Sequence, residues 1–123
     1  MSSVKQVKQS DFRREVTEAG IPTLVDFFAP WCGPCRAFAP ALEGIANDYE
    51  GRVNVVKVDV DEEPQLAAEY DVQAVPTLML FKGGMTVDTM VGVPSASVLR
   101  SKLDTVAAEA EMPCGVSGCS CCG

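Results

Sequence analysis

The stretch TLVDFFAPWCGPC, Thr23–Cys35, decides how the chain is read. Its first seven residues, Thr23–Ala29, form a short apolar run rich in β-branched and aromatic side chains, the pattern of a buried strand. From Pro34 to about Tyr49 the period becomes helical, with Phe38, Leu42, Ile45 and Tyr49 on one stripe and Pro40 placed to kink it. Cys32-Gly33-Pro34-Cys35 therefore sits where a strand hands over to a helix N-terminus. A sulfur there faces the unpaired N–H groups and the positive dipole end of the helix, and both favour thiolate over thiol. Thiolate is the attacking species of disulfide exchange, and the two intervening residues let Cys35 turn back on Cys32 within the first turn. Pro34 removes no hydrogen bond at that helix position. A zinc knuckle uses the same spacing, but it needs two further ligands that a lone pair does not supply.

On the N-terminal side, Ser10 reads as the cap of a helix through about Ala19, stopped by Gly20. On the C-terminal side, Val53–Val60 alternates as a strand and Glu63–Tyr70 is a short helix. Thr77–Phe81 and Met85–Val91 pair as a hairpin across Lys82-Gly83-Gly84. Ser95 caps a last amphipathic helix through about Glu111, with Val98, Leu99, Leu103 and Val106 on its apolar face and Pro113 as its stop. This order implies an α/β domain over residues 1–111, a mixed sheet with helices on both faces. Residues 112–123, rich in Gly and Ser, read as a flexible cysteine-rich tail.

Composition removes several classes of function. With 123 residues the chain can bury a core without disulfide staples, and a net charge of −7 disfavours a nucleic-acid partner. There is no histidine, which excludes Ser-His and Cys-His nucleophile pairs and histidine-ligated metals. No Gly-rich phosphate loop occurs, and no apolar run approaches the roughly 18 residues of a membrane span. The N-terminal MSSVKQVKQSDF lacks the apolar segment of a secretory signal, so a cytoplasmic location is expected.

Three further features carry chemistry. Asp26 stands between Val25 and Phe27 in a strand read as buried, where a carboxylate without a partner must raise its pKa. Raised toward neutrality, it suits a proton acceptor for the Cys35 thiol; the alternative is an aspartate on the solvent face of an edge strand. Lys57, in the next strand, is a candidate ionic neighbour. Val75-Pro76-Thr77 opens a strand directly after a loop, where proline belongs because it cannot donate to a ladder. Trp31, the single tryptophan, is either a contact surface beside the cysteines or core packing.

Together these residues resemble the thioredoxin family over roughly Val4–Ala110. The resemblance rests on DFFAPWCGPC, the kinking Pro40, VDVDEEPQLAAEYDVQAVPT, the FKGG turn and Val91-Gly92. It implies the thioredoxin fold, a mixed central sheet of about five strands flanked by about four helices. It also implies a protein disulfide reductase, a dithiol electron carrier with no tightly bound cofactor or metal, supplied by a thioredoxin reductase and acting as a monomer on disulfide-containing proteins. By the same resemblance Cys32 is the exposed nucleophile, Cys35 the buried resolving thiol, Asp26 the aid to its deprotonation and Lys57 the residue that tunes Asp26. Pro76 is then cis, Val75 pairs its backbone with substrate, and Trp31, Gly33, Pro34, Val75, Thr77, Gly92 and Val93 form the apolar docking surface. Phe28, Pro30 and Arg36 depart from the residues common in the family, Phe28 replacing a frequent second Trp.

The tail is not covered by the resemblance. Cys114, Cys119, Cys121 and Cys122 fall within ten residues. An accessory redox relay, thiolate ligation of Zn, Cu(I) or an iron–sulfur cluster, and a tail without catalytic role all remain open. A thioredoxin-fold metal-binding or interaction module is the alternative function for the whole chain.

Overall fold

The computed structural model describes residues 4–111. Five strands form one sheet in the order β1-β3-β2-β4-β5: β1 (Lys5–Gln6), β2 (Thr23–Phe28), β3 (Asn54–Asp59), β4 (Thr77–Lys82) and β5 (Met85–Val91). β1 and β2 both run parallel to β3, whereas β4 is antiparallel to β2 and to β5. Gly83 and Gly84, with φ of +64° and +83°, make the two-residue turn between β4 and β5, a backbone conformation that glycine reaches without Cβ strain.

Helices cover both faces, as the alternation of strands with amphipathic segments requires. α2 (Gly33–Asp48) and α4 (Ala96–Glu111) lie on one face. There Phe38, Leu42, Ile45, Leu99 and Leu103 pack against Leu24, Val55, Leu78 and Leu80. α1 (Gln9–Phe12) and α3 (Pro64–Glu69) lie on the other, where Phe12, Val16 and Leu66 meet Val25, Phe27, Val56 and Phe81. Alternate residues of β2 thus enter opposite cores, and the residues at even positions, Leu24 and Asp26, follow the pleat on one side. α2 continues through Pro40, whose ring offers no N–H to the carbonyl of Arg36.

Four elements differ from the sequence reading. Ser10 is not a helix cap: the cap position is Lys8, and Gln9 N–H donates 3.0 Å to Glu63 Oε1, so a carboxylate distant in sequence satisfies that end. After Phe12 the helix widens into a π-helix over Arg13–Thr17, in which Glu18 N–H donates to Arg13 O. β1 had no pattern of its own to show, because both its residues are exposed and it is formed by pairing Lys5 with Val56 and Gln6 with Lys57. Val98 is 48% exposed and leaves the apolar face of α4, which Leu99, Leu103, Val106 and Ala107 form instead. Ser95 does cap α4, accepting the Val98 N–H at its Oγ. Pro113 and the four cysteines of the tail lie outside the described residues.

Candidate active site

The site forms at the carboxyl end of β2, where the chain turns into α2. Cys32 is the N-cap of α2, with extended backbone (φ −81°, ψ 112°). Its sulfur takes the place of the usual capping oxygen, accepting the Cys35 N–H at 3.2 Å. Cys32 and Cys35 form a disulfide with Cα atoms 5.3 Å apart. On reduction, the capping N–H and the helix dipole remain aimed at the Cys32 sulfur, so the same geometry stabilises a thiolate.

Cys32 is not an exposed side chain. Both cysteines are 4% exposed, packed with Ala29, Phe28, Val60 and Val75. In the disulfide the Cys32 sulfur is turned toward Cys35, and it lies 3.8 Å from Val75 O. What solvent meets is the surround. Trp31 is 69% exposed and shares a groove with Val75, Val93 is 49% exposed beside Pro34, and Val91, 72% exposed, pairs with Thr77, so an apolar rim borders the segments that flank the sulfurs. Gly33 and Pro34 are exposed as well, and Val75 and Gly92 are partly buried. The Val75–Pro76 peptide is cis, and Gly92, at φ +90°, donates its N–H to Pro76 O at 2.8 Å, which ties the rim to the start of β4. Thr77 is buried and turned inward, its hydroxyl donating to Ala74 O. It supports the loop from within and lies apart from the exposed rim.

Asp26 occupies an interior strand, flanked by Lys57 of β3 and Leu78 of β4, so it is no edge-strand aspartate. It is 4% exposed, and its Oδ1 has no hydrogen-bond partner. Burial pushes its carboxyl up from 3.8 to about 6, partly opposed by the positive charge of Lys57. Asp26, Cys35, Lys57, Phe28, Leu42 and Arg36 help to line one cavity of about 290 Å³. Cys35, the buried acid and the lysine are thereby brought into one site, which Cys32 joins through the disulfide.

Two site features escaped sequence reasoning. Trp31 Nε1–H donates to Asp61 Oδ2 at 2.9 Å. Asp61 is itself held in a turn, because Asp59 Oδ1 accepts the N–H groups of Asp61 and Glu62. The exposed indole is therefore tethered by the loop after β3. The second is Phe28, whose ring receives Lys57 Nζ at 5.4 Å from its centroid, so the family's departure at that position bears on the lysine near Asp26. The acidic cluster VDVDEE was visible in the sequence, but nothing local pairs Asp61 with a tryptophan thirty residues earlier. Among the described residues no group of three or more His, Cys, Asp or Glu is placed to hold a metal ion.

Comparison with known proteins agrees with this site. The Thioredoxin family model matches residues 3–105. The chain is 50% identical to Thioredoxin 1 of Nostoc sp. over 104 residues, 85% of this chain and 97% of that one. It is 47% identical to the thioredoxin of Synechocystis sp. over 104 residues, with the same coverage, and 47% identical to that of Staphylococcus aureus over 102 residues, 83% of this chain and 96% of that one. A paired Cys32 and Cys35 at a helix N-terminus, beside a cis proline and above a buried acid, is an arrangement built for exchanging disulfides, and the chain belongs to the thioredoxin family of thiol–disulfide oxidoreductases.

Proposed function

We propose that the chain reduces protein disulfides in two exchange steps, with Cys32 attacking and Cys35 resolving. The observation that carries this order is the asymmetry of the two sulfurs. Cys32 is the capping atom at the helix N-terminus and stands next to Val75 O, whereas Cys35 lies inside the first turn and shares a cavity with Asp26. Cys32 thiolate attacks one sulfur of the substrate disulfide, and the other leaves as a thiol. The Cys35 thiol loses its proton and attacks Cys32, which releases the second substrate thiol and closes the Cys32–Cys35 disulfide.

Asp26 is the proton acceptor for Cys35. With a value of about 6 it is ionised at pH 7 yet close enough to neutrality to take and return a proton. Burial raises that value, and the positive charge of Lys57 holds it down. Trp31, Gly33, Pro34, Gly92 and Val93 receive the substrate chain, Val75 pairs with it through its backbone, and Pro76 and Thr77 hold that segment in place. Electrons come from a thioredoxin reductase, and the carrier works as a monomer in the cytoplasm, without nucleic acid or membrane. No described helix is long and apolar enough to cross a membrane. Outside Cys32 and Cys35, residues 1–113 contain no cysteine, which suits a reducing compartment.

Two variants test the order. Cys32→Ser abolishes reduction of a protein disulfide, and Cys35→Ser accumulates a mixed disulfide between Cys32 and substrate, read by non-reducing electrophoresis and peptide mass spectrometry. Trapping through Cys35 in the Cys32→Ser chain, with none through Cys32 in the Cys35→Ser chain, reverses the assignment.

A further inference from the structure

The family match stops at residue 105, and the Nostoc relative is matched over 97% of its length, leaving too little of it to hold a counterpart of the sulfurs at 114–122. Four cysteines within ten residues are thus an addition to a chain whose fold needs none of them. We propose that this segment is a second dithiol–disulfide centre and an intramolecular substrate of Cys32, docking its own disulfide on the apolar rim of Trp31, Val75, Val91 and Val93. The inference rests on the reading of Cys32 as the attacking thiol.

Chain length decides which sulfurs can take part. Val93, Pro94 and Ala96 line one groove with Pro34 and Phe38, so α4 begins beside the start of α2 that Cys32 caps. α4 has 16 residues. At about 1.5 Å per residue it carries the chain about 24 Å away from the site. Met112–Cys121 spans at most about 33 Å when extended, enough to return that distance, and Cys122 reaches about 36 Å. Cys114, three residues past the helix, reaches only about 10 Å and is excluded as a partner of Cys32. Cys119, eight residues past the helix, reaches about 26 Å and only just spans the distance, so Cys121 and Cys122, with reach to spare, are the thiols best able to meet the site.

Their adjacency fixes the direction of electron flow. Neighbouring Cα atoms lie about 3.8 Å apart across a trans peptide, below the usual disulfide range of about 4.4–6.8 Å. A Cys121–Cys122 disulfide is consequently strained and a ready electron acceptor. Cys32 thiolate attacks Cys122 Sγ, the Cys121–Cys122 bond breaks, and Cys121 leaves as a thiolate that takes up a proton. Cys35, its proton given up, attacks Cys32 Sγ, the Cys32–Cys122 bond breaks, and Cys122 leaves. Two electrons have passed from the Cys32/Cys35 dithiol to the segment. The segment's disulfide is regenerated when its dithiol reduces a disulfide-bearing substrate, the oxidant of the cycle.

The test uses the full chain. In Cys35→Ser, exchange halts at the first step, so mild oxidation should give a monomer with Cys32 linked to Cys121 or Cys122, mapped by peptide mass spectrometry, and never to Cys114. A short connecting segment supplies an effective concentration of about 1 mM, so the yield should not change with protein concentration. At about 10 µM protein the exchange should run about 100-fold faster than between two separate chains, one Cys32→Ser and one with all four segment cysteines replaced by serine. Links found only in dimers, equal rates in the two formats, or segment thiols that stay reduced or metal-bound while Cys32–Cys35 cycles would each overturn the inference. Failure of the four-serine chain to reduce a small disulfide overturns instead the reading on which it rests.

Discussion

Replacing Asp26 by asparagine should stabilise the oxidised protein at neutral pH, and by an amount that depends on pH in a calculable way. Asp26 is an acid whose folded value, about 6, lies above its ordinary 3.8 because burial disfavours the charged form. The fold therefore prefers it neutral. Its favourable contribution is complete below pH 3.8 and is lost as pH rises to about 6, after which the native state carries a constant penalty. Linkage between the two values puts the penalty at about 0.5 kcal/mol at pH 4, about 1.6 at pH 5 and about 3 at pH 7. Asparagine cannot ionise, so its own unmet hydrogen bonds add a fixed offset that does not vary with pH. Urea denaturation of both chains at half-unit steps from pH 4 to 8 reads the difference directly, and the disulfide keeps Cys32 and Cys35 from titrating. The slope is the result of interest. A stability difference that is flat from pH 4 to 8 would refute the buried-acid argument, whatever its sign.

Three further outcomes follow from the same geometry. Asp26→Asn should slow the resolving step at pH 7 by about 100-fold, the low end of what a general base supplies, while the first attack by Cys32 keeps its rate; stopped-flow with a preformed mixed disulfide separates the two. Lys57→Met removes the positive charge that opposes burial at Asp26, so the carboxyl titrates above its present value of about 6 and the pH at which stability is lost moves upward, read by NMR of the carboxyl carbon. Asp61→Ala should release Trp31 and alter the emission of the single tryptophan while raising KM for a protein disulfide more than it lowers kcat. Asp61→Asn, which keeps an acceptor oxygen, should restore both, and equal behaviour of the two variants would show that the tether has no role in docking.

What the sequence made legible was local. β2 and α2 could be read because each carries its own period, and the Cys32–Cys35 pair because both residues belong to one helical turn. Asp26 could be singled out because a charge in an apolar run is an anomaly wherever the run ends up. What remained hidden was made by partners far along the chain. Glu63 takes the cap role that Ser10 was read to have, from 54 residues away. β1 exists only through its register with Val56 and Lys57. Asp61 reaches Trp31 only once the turn made by Asp59 has formed. Val98 was a matter of angle: one residue before Leu99, it points about 100° away from the stripe that Leu99, Leu103 and Val106 share, and it faces solvent. The near-complete burial of Cys32 could not be read at all, since the side chains of Val60 and Val75 that help to cover it come from other loops.

The remaining question is why a fold should keep so unfavourable a residue at its centre. Buried polar side chains among the described residues are Thr23, Asp26, Asp59 and Thr77. Thr23 and Thr77 each donate to a nearby carbonyl, and Asp59 accepts from two backbone N–H groups. Asp26 is different, with an oxygen that finds no partner, between Leu78 and the partly buried Lys57. Packing alone would favour another leucine there, as at Leu24 two residues earlier on the same pleat. A partner that satisfied the carboxylate would lower its pKa toward 3.8 and leave it a poor proton acceptor near neutrality. In the proposed mechanism the desolvation that destabilises the fold and the basicity offered to Cys35 are thus one quantity measured in two ways. On that proposal any substitution or new hydrogen bond that recovers the stability removes the acceptor, so a variant at this position that gains stability at neutral pH should lose rate in the second exchange step.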